Sequence, residues 1–233
     1  MESPNEIFSF HLIKLPLTRV PFFLLGSTNK VSGLTYSERF LTMNLGAPIA
    51  SSSRYNLRNA AFFAWWKEEH FLNEFLESPS GAIFSGGWHV RMKLYRRWGQ
   101  VSELKDAVVT PELAKQDQAM VAVTLARLNV LQTARFIKWG KPVERQVRDH
   151  QGQTIALAAI RPINTFSTFS IWKNESEMIN MVQGRNQGDG DSHKSAMQEG
   201  LRKDFHHEFT TMRFTPLKEI GTWNGKSNYL SAP

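Results

Sequence analysis

The sequence predicts an α+β fold made of two fused ferredoxin-like halves, and three observations carry that prediction. Apolar residues alternate with period two in several short runs, the mark of half-buried strands. Between these runs lie segments with acidic first turns and apolar stripes at helical spacing. The order of elements then repeats. Phe62-Phe-Ala-Trp-Trp-Lys67 precedes an acidic-started helix and a later basic strand, and Phe169-Ser-Ile-Trp-Lys173 opens the same order further along. A β-α-β-β-α-β unit used twice is the ferredoxin-like plan. The expected division is a first half over residues 1–105, a connector over 106–118 and a second half over 119–233.

Each element has a local reason. Residues 6–15 set Phe8, Phe10 and Leu12 against Ser9, His11 and Ile13, which reads as a strand with one dominant face. Pro21 limits a short helix within 17–25 to a start near Val20. Residues 37–45 fit a strand or a helical turn equally well. The run at 59–67 is apolar and short enough for a buried strand. Residues 68–77 put Phe71, Leu72, Phe75 and Leu76 on one helical stripe. Residues 89–98 alternate Val90, Met92 and Leu94 with Arg91, Lys93 and Tyr95, a strand with one solvated face. The stretch 100–118 is polar and holds Pro111, as a connector would.

In the second half, residues 120–128 form an alternating strand, and 132–149 a helix broken around Gly140-Lys-Pro142. An apolar run at 154–160 follows. Residues 166–173 then read as a strand, 176–182 as a helix and 184–190 as a Gly-rich loop that could cover a pocket. Asp191-Ser-His193 opens a further helix whose far end holds His206-His207, and 208–214 is the last strand.

Composition narrows the chemistry. A chain of 233 residues that is 41% hydrophobic and 12% aromatic can bury a large core or line an apolar pocket. With no cysteine, disulfides, thiolate metal ligation and cysteine nucleophiles are excluded. The acidic start, Met1-Glu-Ser-Pro-Asn-Glu6, does not read as a signal peptide, and the run from Val20 to Leu25 is too short to cross a bilayer, so a cytoplasmic protein is expected. The net charge of +7 is scattered and no nucleic-acid motif accompanies it. At most, a peripheral membrane surface or an acidic electron-donor protein would meet these charges. Neither a phosphate-binding loop nor a nucleophile elbow is present.

From about residue 121 to 223 the chain resembles the spheroidene monooxygenase family of carotenoid-modifying enzymes. The matching features are Val123-Thr-Leu-Ala-Arg127, Arg135-Phe136-Ile-Lys-Trp139, Thr168-Phe-Ser-Ile-Trp172 and Gly190-Asp-Ser-His193 with Ala196 and Arg202. Glu208-Phe-Thr-Thr-Met-Arg-Phe214 and Gly221-Thr-Trp223 complete the set. Ala158-Ala-Ile-Arg161 and Asn164-Thr-Phe166 depart from the family's pattern at places that hold polar groups there. The resemblance implies a dimeric α/β-barrel like that of haem-dependent aldoxime dehydratases, haem b as cofactor, a homodimer, an external electron donor, and oxygen-dependent oxidation of an apolar, carotenoid-like substrate. It places the proximal iron ligand at His193.

Read on their own, the residues leave His193 as a helix-capping or solvated histidine, or as a ligand whose second nitrogen Asp189 or Asp191 would accept from. Arg127, Arg135, Lys138 and Arg161 are candidates for haem propionates, with Arg161 the one expected to be partly buried. Phe136, Trp139, Phe166, Phe169 and Trp172 are core or cofactor wall. His206-His207 reads as a surface pair, since adjacent helical residues diverge by about 100°, and His11 as a minor site candidate. Two further functions stay open: a haem-dependent aldoxime dehydratase, and a non-enzymatic protein that binds a small hydrophobic molecule in the same fold.

Overall fold

The structure is a computed structural model that describes residues 5–26, 31–48, 51–185, 195–196, 198–199, 202 and 204–231. Strands β1 (Ile7–Lys14), β2 (Leu34–Met43), β3 (Tyr55–Trp66) and β4 (Trp88–Gln100) come from the first half. Strands β5 (Met120–Leu128), β6 (Gln153–Arg161), β7 (Thr165–Trp172) and β8 (His206–Ile220) come from the second. They close into one antiparallel barrel in the order β1-β3-β2-β6-β7-β5-β8-β4. Each half contributes the ferredoxin-like order, β4-β1-β3-β2 and β8-β5-β7-β6, and the halves join through β2 with β6 and β4 with β8. Closure leaves no unpaired edge, and a single chain achieves it. The helices α1 (Val20–Leu25), α2 (Glu69–Glu77), α3 (Ala82–Ser85), α4 (Thr133–Asp149) and α5 (Glu175–Val182) lie between the strands in sequence.

The alternation read from the sequence decides which side chains enter the barrel. Phe8, Phe10 and Leu12 point inward with Phe63, Trp65, Trp88, Val90, Val123, Leu125, Phe169 and Phe214. Phe10 stacks on Phe169 with ring centroids 3.9 Å apart, so the two halves meet at the barrel axis. Both ends are stoppered. At one, Tyr229 packs edge-on against Trp88 and donates to the Trp223 carbonyl. Glu219 there accepts from Trp88 Nε1 and from the Tyr229 and Leu230 amides. At the other, Val101, Leu104 and Ala107 enter the core. The stretch expected to be a polar connector therefore carries three core residues, spaced i, i+3, i+6 among its charges.

One open reading is resolved and three other expectations change. Residues 37–43 fall on a strand, β2, whose Glu38 and Arg39 both find partners. The face of β4 expected to be solvated is largely buried as far as Tyr95: Arg91 donates to Glu69 of α2, and Tyr95 packs with Met178 and Met181 of α5. α4 runs unbroken through Pro142. The carbonyl that proline leaves unpaired is that of Lys138, and both residues are exposed, so water can replace the lost bond. His206 and His207 start β8 and do not end a helix.

α5 begins at a cap. The Asn174 side chain accepts from the Glu177 amide at 2.9 Å, with Glu175 and Glu177 in the first turn. Asn174→Ala should lower stability by about 1 kcal/mol, read as a Tm lower by roughly 2–4 °C in a thermal melt. Among the described residues no helix is long and apolar enough to cross a membrane.

Candidate functional site

The barrel interior is packed with these side chains, and it is on the outer faces that the two halves differ. In the first half, α2 and α3 press Leu72, Phe75 and Phe84 onto Phe62, Ala64 and Trp66 of β3. The pairing register brings Arg39, Phe62, His11 and His89 into one row across β2, β3, β1 and β4. These four side chains and Phe84 fill the outer face: Phe62 and Phe84 lie 4.6 Å apart, and His11 meets Phe84 edge-on.

The second half has the same register with other residues in it. Trp172 opposite Met120 matches Trp66 opposite Ile7. The row equivalent to Arg39–Phe62–His11–His89 is then Ala158–Thr168–Thr124–Thr211. Four large side chains have become four small ones. The row beside it, Ala156–Ser170–Ala122–Arg213, is small in its first three places, and Arg213 pairs with Glu175 of α5. Phe166 and Phe209 border this floor at one end, and Trp172 and Met120 at the other. Thr124, Thr168 and Thr211 stay only partly buried although they sit mid-strand under a helix.

That helix is α4, and its packing matches the gap below it. Phe136, Trp139, Gly140, Val143, Gln146, Val147 and His150 share one face at helical spacing. No apolar residue on this 17-residue amphipathic helix is fully buried; only Glu144 and Gln146 are. A Cβ added to Gly140 would meet nothing within 4 Å. α4 thus rests on Ala158 and Phe166 through Phe136 and Val147, and the cleft it roofs lies over the partly exposed threonines. Polar bonds hold it in place. Arg54, beside the β2–β3 loop, donates to Glu144 Oε1 at 2.7 Å and Oε2 at 2.9 Å, and the Gly46 amide donates to Oε2 at 2.9 Å. At the other end Arg135 donates to the Glu199 carboxylate at 2.7 Å and to its carbonyl at 2.6 Å, with its guanidinium 4.4 Å from the Phe205 ring.

The residues singled out in the sequence distribute as follows. Phe136 lies under α4, edge-on to Phe166 and Phe205. Trp139 sits half-buried one turn on. Trp172 closes the far end, with its Nε1 donating to Ser170 Oγ. Arg135 flanks the near end. Arg161 does not join them: it projects at one end of the barrel, where it donates to the buried Glu38. Tyr36 also donates to Glu38, and Arg127 bridges Glu208 and Glu103 close by. Burial, and then the Glu38 carboxylate, push the Tyr36 phenol far above its usual range. His193, Asp189 and Asp191 lie outside the described residues, and so do residues 186–190 of the Gly-rich loop. Phe169 is core at the barrel axis. Among the described residues no three His or carboxylate side chains converge as for a metal ion.

No protein-family model matches the sequence, and no curated protein matches it. Solved structures do share the fold. An aldoxime dehydratase co-crystallised with butyraldoxime superposes with a TM-score of 0.54 at 9% identity, over 100% of this chain and 88% of that one. A second aldoxime dehydratase gives 0.47 at 9% identity, over 93% and 83%. A ferredoxin-fold protein related to antibiotic-biosynthesis monooxygenases, from Listeria monocytogenes, gives 0.29 at 9%, over 90% and 95%. At such identities the likeness is one of fold.

Proposed function

We propose that this chain is a haem-dependent enzyme that oxidises an apolar substrate, with the cofactor and substrate in the cleft between α4 and the alanine–threonine floor. The exchange of Arg39, Phe62, His11 and His89 in one half for Ala158, Thr168, Thr124 and Thr211 in the other carries the proposal. A flat macrocycle suits such a slot. Its floor is small-chained, its roof is apolar, and Gly140 has open space beside it. Phe136 and Trp139 would cover one face and exclude water, and the threonine hydroxyls offer donors to a bound ligand. Arg135, at the near end of α4, is the candidate cation for a propionate and would exchange its Glu199 partner for it. Lys138 lies on the opposite, exposed face of the helix, and Arg161 is occupied by Glu38 at the barrel end. His193 is the proposed axial ligand, on the family resemblance. When bound, haem would supply the redox-active iron, and an external donor its electrons.

A second reaction fits the same cleft. The aldoxime dehydratase of the same fold was crystallised with butyraldoxime, and dehydration of an aldoxime needs neither oxygen nor an electron donor. Turnover that persists without oxygen would select it over the oxidative reading.

The test of the cofactor is spectroscopic. Protein supplied with haemin should show a Soret band, and His193→Ala should shift or abolish it. Thr168→Phe restores the first half's arrangement and should weaken haem binding at least a hundredfold while the melting temperature holds or rises. A parent without a Soret band, or a Thr168→Phe protein that binds haem as tightly, would overturn the proposal.

A further inference from the structure

We infer that the inner end of the cleft is a seat for the polar end group of an elongated apolar ligand, built from Gln146 and His150. Both side chains are almost fully enclosed, at 3% and 4% exposed, and each has one polar atom without a partner. Gln146 Nε2 donates to the Met181 carbonyl at 2.7 Å, which fixes the orientation of the amide and leaves Oε1 as a buried acceptor. His150 Nδ1 accepts from the Gly152 amide at 3.0 Å, so the proton of the neutral ring lies on Nε2, a buried donor with nothing to receive it. The Glu177 carboxylate is 3.9 Å from Nδ1, on the ring's occupied side.

The unpartnered acceptor is on the last turn of α4, and the donor is on the residue that caps the helix C-terminus, four positions on. Trp172 presses edge-on against the His150 ring, with centroids 5.4 Å apart, and closes the end. From Phe136 to Gln146 the helix rises about 15 Å, between Phe136 and Phe166 at one end and Trp172 at the other, over alanines and the hydroxyls of Thr124, Thr168 and Ser170. The complementary ligand is therefore a rod-like apolar molecule whose terminal group both donates and accepts: a hydroxyl, a carboxamide or an oxime. A carboxylate could not satisfy Gln146 Oε1, because it brings no proton.

This inference rests on the cleft, not on haem, and its test can fail separately. Binding of dodecan-1-ol, dodecanamide and n-dodecane to the purified chain would be followed by tryptophan fluorescence, with and without haemin. The alcohol and the amide should bind at least tenfold more tightly than the alkane. Gln146→Leu and His150→Phe should each remove most of that preference and leave alkane binding unchanged. Equal affinities for the three probes in the parent protein would overturn the inference whether or not the variants fold, and so would variants that keep the preference. If no probe binds, the cleft reading fails with it. A preference that persists without a Soret band would sink the haem proposal alone.

Discussion

Glu144→Leu should destabilise this protein by about 3–5 kcal/mol and lower its Tm by roughly 6–20 °C. The side chains of Arg54 and Glu144 are only 5% and 10% exposed, and they meet through two parallel hydrogen bonds. Removing the carboxylate leaves a guanidinium buried with the Ala47 carbonyl as its remaining acceptor, and leaves the Gly46 amide without one. The loss acts on α4 in particular, because its apolar anchors Phe136 and Val147 are only partly buried. Adding Arg54→Met to Glu144→Leu should recover most of the stability, since a well-packed apolar pair avoids the desolvation of both ions. Chemical denaturation of the four proteins in the cycle gives the coupling energy directly. A Glu144→Leu protein as stable as the parent would show that α4 is held by something else. Because α4 roofs the cleft, the single variant should also lose ligand affinity, and the double variant should regain it.

Most of the elements could be read in the sequence because their patterns are local. Phe8, Phe10 and Leu12 alternate within one strand, and Phe71, Leu72, Phe75 and Leu76 stripe one helix, so neither needs knowledge of its neighbours. The recurrence of Trp66 as Trp172 marked the duplication, and the two tryptophans hold equivalent places in the register. The segments that misled are those decided by long-range contacts. Val101, Leu104 and Ala107 look incidental among charges until they close the barrel end. Arg91 and Tyr95 look solvated until helices cover β4. The Ala158–Thr168–Thr124–Thr211 row is invisible along the chain, because its members adjoin only through pairing between strands far apart in sequence. Of the site residues, Phe136, Trp139 and Trp172 were found as aromatics near a family motif. Gln146 and His150 carried no signal, since an unpartnered atom is a property of the folded surroundings and not of residue type.

The filled half of the molecule has a pH dependence of its own. His11 and His89 are cross-strand neighbours whose rings stack with centroids 4.6 Å apart, and none of their four ring nitrogens has a hydrogen-bond partner. Burial, then His89 and Arg91, hold the His11 ring neutral well below its ordinary range. Burial, then Arg91 and Lys218, lower the pKa of His89 to about 4. Glu69 pairs with Arg91 and offsets part of that positive field. The folded-state values lie below the 6.5 of an unfolded histidine, so from pH 6.5 downward the unfolded chain takes up protons that the folded chain refuses. Stability is therefore complete above pH 6.5 and falls as the pH drops toward about 4, the folded value for His89. The slope is about 1.4 kcal/mol per pH unit for each ring that stays neutral. At pH 5 the pair should have removed about 4 kcal/mol, before most carboxylates titrate. Urea midpoints measured between pH 7.5 and 5 should fall accordingly, and His89→Leu should remove roughly half of the slope. A flat profile in the parent would mean that the two rings find proton acceptors as the pH falls. Threonines stand at the equivalent places in the second half, so this acid sensitivity belongs to the half that is filled, and α4 and its cleft meet that half through the Arg54–Glu144 bridge, the Gly46–Glu144 bond and the shared barrel.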